Sequence, residues 1–303
     1  MAKEGKTEGK NVLITGGASG LGAAYAEAFL KYGAENIAIL DVSEVGKLYA
    51  DKLNETYKNK VIFVKCDVSK EEEIQNSFQE VLAAFKRIDV IINNAGIMND
   101  SIDAWRTASD VNWQGVVSFT RKGIGHMRKD EDKLGGTIIN ISSVAAVVRM
   151  QHLPVYSGSK AAVLHFSRCI SSPTFYDSTG VRILTISFGP TATALMSNLA
   201  SRFFDQKFAN LFFTRNPNPP FQRIDSAVEA LLKMFREGNP GSVWISQYDQ
   251  PGQDITSILN EAYQPLEKLL LPRGPTTLFR NEKIRRRTKV SDIVQTISKL
   301  KWQ

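Results

Sequence analysis

Cysteines and long apolar runs are both scarce in this sequence. Cys66 and Cys169 are the only cysteines among 303 residues, too few for a disulfide framework, and no Cys-x-x-Cys pair or histidine spacing indicates a metal site. No apolar run approaches the roughly 18 residues that a membrane-spanning helix needs. The polar N-terminus lacks the apolar segment of a secretory signal. These absences predict a cytoplasmic protein without a metal.

Positive charge is concentrated at one end of the chain. The net charge is +7, but residues 265–303 hold ten Lys and Arg against three Asp and Glu, so the rest of the chain is neutral. We therefore expect a basic C-terminal extension over 251–303 and no nucleic-acid site on the main body. Residues 280–289 could bind acidic lipid at a membrane surface or nucleic acid, although charge runs are usually just solvated.

The first 250 residues alternate apolar β-rich runs with longer helical patterns, and no internal repeat is present. The predicted strands are Val12–Thr15, Ile37–Leu40, Val61–Lys65, Val90–Asn93, Thr137–Ile141, Arg182–Ser187 and Ser242–Ile245. The predicted helices are Gly20–Tyr32, Glu44–Tyr57, Lys70–Phe85, Ala104–Met127, Val155–Ser171 and Ser226–Arg236. This alternation predicts one α/β domain over 1–250, a doubly wound, Rossmann-type parallel sheet of about seven strands with helices on both faces. An irregular, Phe-rich stretch at 190–222 is predicted to be a lid over a substrate site.

A glycine-rich turn, T-G-G-A-S-G-L-G, lies between the first strand and the first helix. Glycines allow a tight turn there, and they let backbone N–H groups approach a pyrophosphate at the positive end of the helix. An ordinary tight turn is the alternative, but the strand–turn–helix position favours a dinucleotide. The predicted cofactor residues in this turn are Gly16, Ser19, Gly20, Leu21 and Gly22.

An acidic residue ends the second strand. Asp41 lies nineteen residues beyond Gly22, where a carboxylate would accept hydrogen bonds from the adenosine ribose and repel a 2′-phosphate. No Lys or Arg stands at position 19 or directly after position 41. NAD is therefore predicted rather than NADP. A helix N-cap role for Asp41 is less favoured, because Ser43 is placed to cap the next helix.

Tyr156 and Lys160 are four residues apart on one predicted helix, so their side chains share a face. A phenol has an unperturbed pKa near 10, and an ammonium within about 4–6 Å would lower it. Such a depression would make Tyr156 a general base for a hydroxyl proton. Ser143 follows the fifth strand, and its hydroxyl could hold the substrate oxygen. An amphipathic tyrosine beside a solvated lysine is the alternative, which the glycine-rich turn disfavours.

Four motifs occur in order: T-G-x-x-x-G-x-G, Asn93-Asn94-Ala95-Gly96, Ser143, and Tyr156-x-x-x-Lys160. Over roughly residues 10–250 the chain resembles the short-chain dehydrogenase/reductase family, and within it the insect alcohol dehydrogenases and 15-hydroxyprostaglandin dehydrogenases. The resemblance implies Ser143 rather than Ser142 as the catalytic serine. It also implies that Asn112 holds a water that relays protons to Lys160.

The resemblance implies further contacts. Asp67 and Val68 would flank the adenine, while Asn94, Ala95 and Gly96 would line the ribose side. The family's Pro-Gly after strand six is replaced here by Phe188-Gly189-Pro190-Thr191, so nicotinamide recognition is expected at Gly189 and at Thr191 or Thr193. Tyr156 and Lys160 would also touch the cofactor. A homodimer or homotetramer through the helices bearing Asn112 and Tyr156 is expected.

The predicted function is NAD-dependent interconversion of a hydroxyl and a carbonyl on a small or lipophilic secondary alcohol. Ser143, Leu153 and Tyr156 would contact that substrate. Leu153 stands where the prostaglandin enzymes have glutamine, which favours an apolar pocket. A catalytically silent dinucleotide-binding or scaffold protein of the same fold is the alternative, and the complete set of Asn112, Ser143, Tyr156 and Lys160 argues against it.

Overall fold

The computed structural model describes residues 5–205, 207 and 220–270. One mixed sheet of eight strands forms its centre, in the order β3-β2-β1-β4-β5-β6-β7-β8. The strands are β1 Asn11–Thr15, β2 Asn36–Asp41, β3 Val61–Lys65, β4 Val90–Asn93, β5 Gly136–Ser143, β6 Val181–Phe188, β7 Val243–Ser246 and β8 Gln253–Asp254. All seven predicted strands are present and parallel, while β8, which was not predicted, runs antiparallel to β7.

The chain reverses its direction across the sheet at β1. β1 pairs with β2 on one side and with β4 on the other, so the connections after β1 and β4 leave on opposite faces. Such a point opens a crevice beyond the carboxyl ends of the strands, and ligands of open α/β sheets bind there. In this crevice the Thr15 hydroxyl oxygen accepts the N–H groups of Asn94 and Ala95 at 3.0 and 3.1 Å.

Strand residues alternate between two apolar cores. Val12 and Ile14 belong to one cluster with Phe29 and Phe235, whereas Leu13 and Ile91 belong to a cluster on the opposite face. The helices are α1 Gly20–Lys31, α2 Val45–Tyr57, α3 Glu71–Phe85, α4 Trp105–Ser109, α5 Gly115–Met127, α6 Pro154–Cys169, α7 Pro173–Thr179, α8 Ile224–Glu237 and α9 Thr256–Leu270. Helices thus cover both faces, which confirms the predicted fold class.

The helix predicted over Ala104–Met127 is wrong in one respect. It is divided into α4 and α5 by a π-helical turn over Asp110–Gln114, which apolar periodicity does not reveal. The short α7 was not predicted either. Such π turns are rare and occur frequently at functional sites.

The chain forms two compact units, Met1–Ser257 and Ile258–Gln303. β8 lies beyond residue 250 and belongs to the sheet of the first unit. The second unit is described only as far as Leu270, along α9, which contains Pro265. Within the described residues no helix is long and apolar enough to cross a membrane.

The predicted lid is described only in part. Its first half contains two 3-10 turns, Ala194–Met196 and Leu199–Arg202. Thr191 pairs with Gln222 as an isolated parallel bridge. Residues 206 and 208–219 lie outside the described residues, as do residues 271–303 with the basic patch predicted at 280–289.

Candidate active site

Two glycines of the glycine-rich turn, Gly16 and Gly22, pack too closely against their surroundings to accept a side chain. Gly16 has a φ of +64°, and a Cβ there would lie 2.7 Å from the Ala95 Cα. A Cβ on Gly22 would overlap the Gly16 carbonyl oxygen. Gly20, with a φ of +53°, starts α1. Since no side chain caps α1, its first N–H groups remain open to a ligand, as a pyrophosphate site requires.

Asp41 holds the glycine-rich turn in place. One carboxylate oxygen accepts the N–H of Ala18 at 3.0 Å, and the other accepts the N–H of Ser43 at 3.0 Å. The N-cap of α2 is Glu44, and the Ser43 hydroxyl oxygen accepts the N–H of Val45 at 3.4 Å. Asp41 is therefore not the α2 cap, and its carboxylate lies on the wall of the crevice.

Two adjoining cavities form one continuous cleft over the carboxyl ends of the strands, with Leu21, Asn94, Gly96, Thr193 and Leu195 lining both. The first cavity is lined by predicted cofactor residues: Gly16, Ser19, Gly20, Leu21, Asp41, Asp67, Val68, Asn94, Ala95 and Gly96. The second cavity is lined by Ser143, Leu153, Tyr156, Lys160, Gly189 and Thr191. An open helix N-terminus, a glycine cradle and a carboxylate thus fit a dinucleotide. Within the described ranges, no three His, Cys, Asp or Glu side chains could hold a metal.

Three of the predicted catalytic side chains meet at the floor of the second cavity. The Ser143 hydroxyl lies beside the Tyr156 phenol and lowers its pKa. It donates a hydrogen bond to the Phe188 carbonyl oxygen at 3.3 Å and accepts the N–H of Ala145 at 3.2 Å. Lys160 Nζ lies 5.9 Å from the centre of the Tyr156 ring and donates a hydrogen bond to the Ile141 carbonyl oxygen at 3.0 Å. Tyr156 is 7% exposed and Lys160 is 4% exposed. The two groups are therefore shielded from water, where electrostatic effects are strong.

The expected depression of the Tyr156 pKa by Lys160 is wrong for the chain by itself. Burial raises the pKa of Tyr156, the neighbouring Ser143 hydroxyl lowers it, and the charge of Asp100 raises it further. Burial also lowers the pKa of Lys160 from 10.5 to about 8. The physical reason is that both groups are desolvated, while the ammonium is directed at the Ile141 carbonyl.

The π turn directs Asn112 into the protein. Asn112 is fully buried. Its Oδ1 accepts the N–H of Ile97 at 2.7 Å, while its Nδ2 donates to the Ile97 carbonyl oxygen at 2.8 Å and to Ser159 Oγ at 3.1 Å. Asn112 therefore joins the loop after β4 to the helix that carries Tyr156 and Lys160. It is not an exposed polar residue.

The second cavity is mainly apolar. Leu153 lies immediately before α6, is 2% exposed and lines this cavity. The ring centre of His152 lies 4.4 Å from that of Phe203, and burial lowers the pKa of His152. In the apolar lining, Leu195, Met196, Leu199 and Phe221 belong to the stretch 190–222 that was predicted to cover a substrate site. The lining residues that were not predicted are Met98, Val144, Met150 and Phe188. These residues come from separate segments without a common pattern, so no sequence signal groups them.

The Thr191 hydroxyl is already engaged within the protein. It donates to the Gly189 carbonyl oxygen at 3.0 Å and accepts from Gln222 Nε2 at 2.9 Å. Gln222 is fully buried and was not predicted. Thr193, the second candidate of the sequence analysis, lines both cavities. The Thr193 hydroxyl is also hydrogen-bonded, since it donates to the Thr191 carbonyl oxygen at 3.4 Å, but of the two threonines only Thr193 lines both cavities.

The fold, the glycine cradle and the buried, neighbouring Tyr156 and Ser143 side chains are features expected of a dinucleotide-binding α/β oxidoreductase. A family model described as short chain dehydrogenase matches residues 10–202. The chain therefore belongs to the short-chain dehydrogenase/reductase family of oxidoreductases, which confirms the resemblance seen in the sequence.

Curated relatives carry two kinds of name. The chain is 34% identical to the 15-hydroxyprostaglandin dehydrogenase [NAD(+)] of Rattus norvegicus over 193 residues, 63% of this chain and 71% of the relative. It is 32% identical to alcohol dehydrogenase 2 of Ceratitis rosa over 242 residues, 78% of this chain and 91% of the relative.

Solved structures show the same fold. A levodione reductase structure matches with a TM-score of 0.65 and 25% identity, covering 78% of this chain and 95% of that one. The 3-ketoacyl-(acyl-carrier-protein) reductase from Brucella melitensis, complexed with NADH, matches with a TM-score of 0.66 and 24% identity, covering 79% and 97%.

Proposed function

We propose that this protein oxidises a secondary alcohol to a ketone with NAD and catalyses the reverse reduction. The observation that carries the proposal is the pair of neighbouring Tyr156 and Ser143 hydroxyls, buried where an apolar cavity meets a cleft fitted to a dinucleotide. A substrate hydroxyl in the apolar cavity would reach both groups. The site then needs only a hydride acceptor alongside.

Each polar side chain has a distinct role in this reaction. Ser143 holds the substrate oxygen, and Tyr156 removes the hydroxyl proton as a general base. Lys160, when protonated, would supply positive charge near the phenolate, to which the positive ring of a bound nicotinamide would add. The glycine-rich turn and Asp41 would hold the nicotinamide dinucleotide, which would supply the acceptor for the hydride that leaves the carbinol carbon. Asn112 braces α6 against the loop after β4, next to Lys160.

The choice of NAD rests on Asp41 and its surroundings. Its carboxylate is held on the cleft wall by two backbone N–H groups, so it cannot turn away from an adenosine ribose. A 2′-phosphate there would meet a fixed negative charge. The adjacent residue is Val42, which is exposed and carries no compensating positive charge. The relative from Rattus norvegicus is named as NAD(+)-dependent.

The substrate is inferred from the lining of the second cavity. Methionine, leucine and phenylalanine side chains surround the reacting groups, and apolar surface of this kind favours an apolar ligand. Among the described lining residues, His152, Tyr156 and Lys160 are the only titratable ones. A small or lipophilic alcohol without a charge near its carbinol carbon fits this lining.

Formation of NADH tests the proposal. Purified protein is incubated with a panel of primary and secondary alcohols of increasing chain length, with NAD and NADP in parallel, and absorbance is followed at the reduced nicotinamide band. We expect turnover with NAD and secondary alcohols, and its loss in Tyr156→Phe with NAD binding retained. Turnover that survives Tyr156→Phe would refute the mechanism. NAD binding without turnover on any alcohol would favour the silent dinucleotide-binding alternative.

A further inference from the structure

The first turn of α6 lacks a cap from its own sequence. The helix begins at Pro154, which has no N–H, and the preceding residue, Leu153, has no side-chain acceptor. The next two N–H groups, of Val155 and Tyr156, would have no partner within the helix. A neighbouring Ser, Thr, Asp or Asn usually meets this need. In α6 the partner comes from elsewhere in the chain.

Asp100 supplies the missing acceptors. One of its carboxylate oxygens accepts the N–H of Val155 at 2.6 Å, and the other accepts the N–H of Tyr156 at 2.9 Å. Asp100 is only 2% exposed and lies in the loop after β4, 56 residues before Tyr156. A carboxylate is stabilised at the positive end of a helix, and hydrogen bonds to it are strong. The backbone of Tyr156 is therefore bonded directly to this loop.

The same loop is also bonded to the wall of the apolar cavity. The Asp100 N–H donates to the Arg202 carbonyl oxygen at 2.8 Å. Two residues further on, the Phe204 N–H donates to the His152 carbonyl oxygen at 3.0 Å. Asp100 thus joins the start of α6, the loop after β4 and the segment that follows Leu199.

The charge of Asp100 opposes the chemistry proposed for its neighbour. It raises the pKa of Tyr156, whereas a general base requires the phenolate. The other titratable groups close to Tyr156 are Lys160 on its own helix and His152 on the cavity wall. A carboxylate buried here therefore contributes to the proposed reaction through geometry rather than through its charge.

We infer that Asp100 is a positioning residue, whose carboxylate fixes the backbone of Tyr156 and thereby the approach of the phenol to Ser143. This inference rests on the proposed function. It assigns no contact between Asp100 and the substrate. It predicts that weakening the two hydrogen bonds slows the chemical step and leaves cofactor binding intact.

Two variants remove the acceptor oxygens of Asp100 in part or completely, and a third variant serves as a matched control. Asp100→Asn keeps one acceptor oxygen, and Asp100→Ala keeps none. Asp89→Asn alters another buried carboxylate, which accepts the N–H of Asn11 at 2.9 Å; Asp89 directly precedes β4, at the opposite end of that strand from the loop of Asp100. With the best alcohol of the panel, we expect kcat to fall about 10-fold in Asp100→Asn and about 100-fold in Asp100→Ala. The KM and the Kd for NAD should stay within about twofold of wild type, and Asp89→Asn should keep the wild-type kcat.

Amide hydrogen exchange provides a readout that needs no turnover. In Asp100→Asn, exchange in a peptide covering residues 153–160 should accelerate about 5- to 30-fold, the effect of losing one helix cap. Peptides from β1, β4 and β5 should exchange as in wild type, which shows that the variant folds. Asp89→Asn should leave the 153–160 peptide unchanged.

The outcomes separate this inference from the proposed function. A kcat within twofold of wild type in both Asp100 variants overturns the inference, as does an equal loss in Asp89→Asn. If the wild type is inactive, the proposed function is refuted, and amide hydrogen exchange alone then tests the positioning role of Asp100. Acceleration confined to residues 153–160 supports the positioning role, and unchanged exchange there overturns it.

Discussion

The almost wholly buried Lys160 ammonium donates a hydrogen bond, 3.0 Å long, to the carbonyl oxygen of Ile141 near the end of β5. Burial is the sole cause of its lowered pKa, which falls to about 8. The lysine is thus held beside Tyr156 without a carboxylate to compensate its charge within the described residues. An isolated buried charge destabilises a fold, so this arrangement serves activity at the expense of stability.

Replacing Lys160 by methionine should stabilise the protein while abolishing turnover. At pH 7 a lysine pKa lowered from 10.5 to about 8 means that the buried ammonium destabilises the folded protein by about 3 kcal/mol. Methionine removes this penalty but also removes the hydrogen bond to Ile141, which offsets part of the gain. We therefore expect Lys160→Met to raise the free energy of unfolding by roughly 1–3 kcal/mol, measured by urea denaturation. Lys47→Met, at an exposed lysine of α2, should change it little. A destabilised Lys160→Met would contradict this account.

The stability difference between Lys160→Met and wild type should shrink as the pH rises. Below pH 8 the lysine is protonated in both the folded and the unfolded states, and the full cost applies. Between pH 8 and 10.5 Lys160 is deprotonated in the folded state but still protonated in the unfolded state. Because the unfolded state then binds more protons, the free energy of unfolding of the wild type rises with pH relative to that of the variant. Denaturation curves at pH 7, 8, 9 and 10 measure this. A constant difference would show that the Lys160 ammonium is not desolvated.

A methyl group at Gly22 should damage the dinucleotide site. Its Cβ would overlap the Gly16 carbonyl oxygen, a backbone atom that cannot rotate away. We expect Gly22→Ala to weaken NAD binding at least about 10-fold, and to lower the free energy of unfolding by about 1–3 kcal/mol. Calorimetric titration with NAD measures the first effect.

The matched control for Gly22→Ala is Gly125→Ala on α5, where an added Cβ meets nothing within 4 Å. Alanine is favoured over glycine inside a helix by up to about 1 kcal/mol. Gly125→Ala should therefore bind NAD as wild type does and be equally or more stable. Normal NAD affinity in Gly22→Ala would place the cofactor elsewhere.

Removing the charge of Asp41 should relax the preference between the two cofactors. Asp41→Asn keeps the shape of the side chain and an acceptor oxygen, but a 2′-phosphate no longer meets a negative charge. We expect the ratio of kcat/KM with NADP to that with NAD to rise at least about 10-fold. Asp51→Asn, at an exposed position of α2, should leave the ratio unchanged. An unchanged ratio in Asp41→Asn would separate cofactor choice from this carboxylate.

The strands were predictable because their sequences are nearly continuous apolar runs. β1, β4 and β6 are buried throughout, so the pattern that predicts a strand in a parallel sheet is the pattern that the fold needs. β8 was missed because it has two polar residues, Gln253 and Asp254, and depends on pairing with β7. A segment this short carries no periodicity.

Tyr156 and Lys160, proposed as catalytic residues, could be singled out from the sequence because their spacing is fixed within one helix. Asp100 could not, since its partners lie 55 and 56 residues away. Leu153 and Pro154 offered a signal, however, because a helix that starts without a capping residue must find an acceptor elsewhere. The expected homodimer or homotetramer stays a prediction.

The π turn at Asp110–Gln114 acts as one additional residue in a helix of otherwise ordinary pitch. Each residue turns an α-helix by about 100°, so the extra residue sets α4 and α5 out of phase with each other. α5 can then keep its apolar side on the sheet while Asn112 points inward to Ile97 and Ser159. Deleting one residue of this turn other than Asn112 would be expected to restore a single helical phase and to turn the asparagine amide away from its partners. The site therefore depends on the number of residues in this turn as well as on their identity.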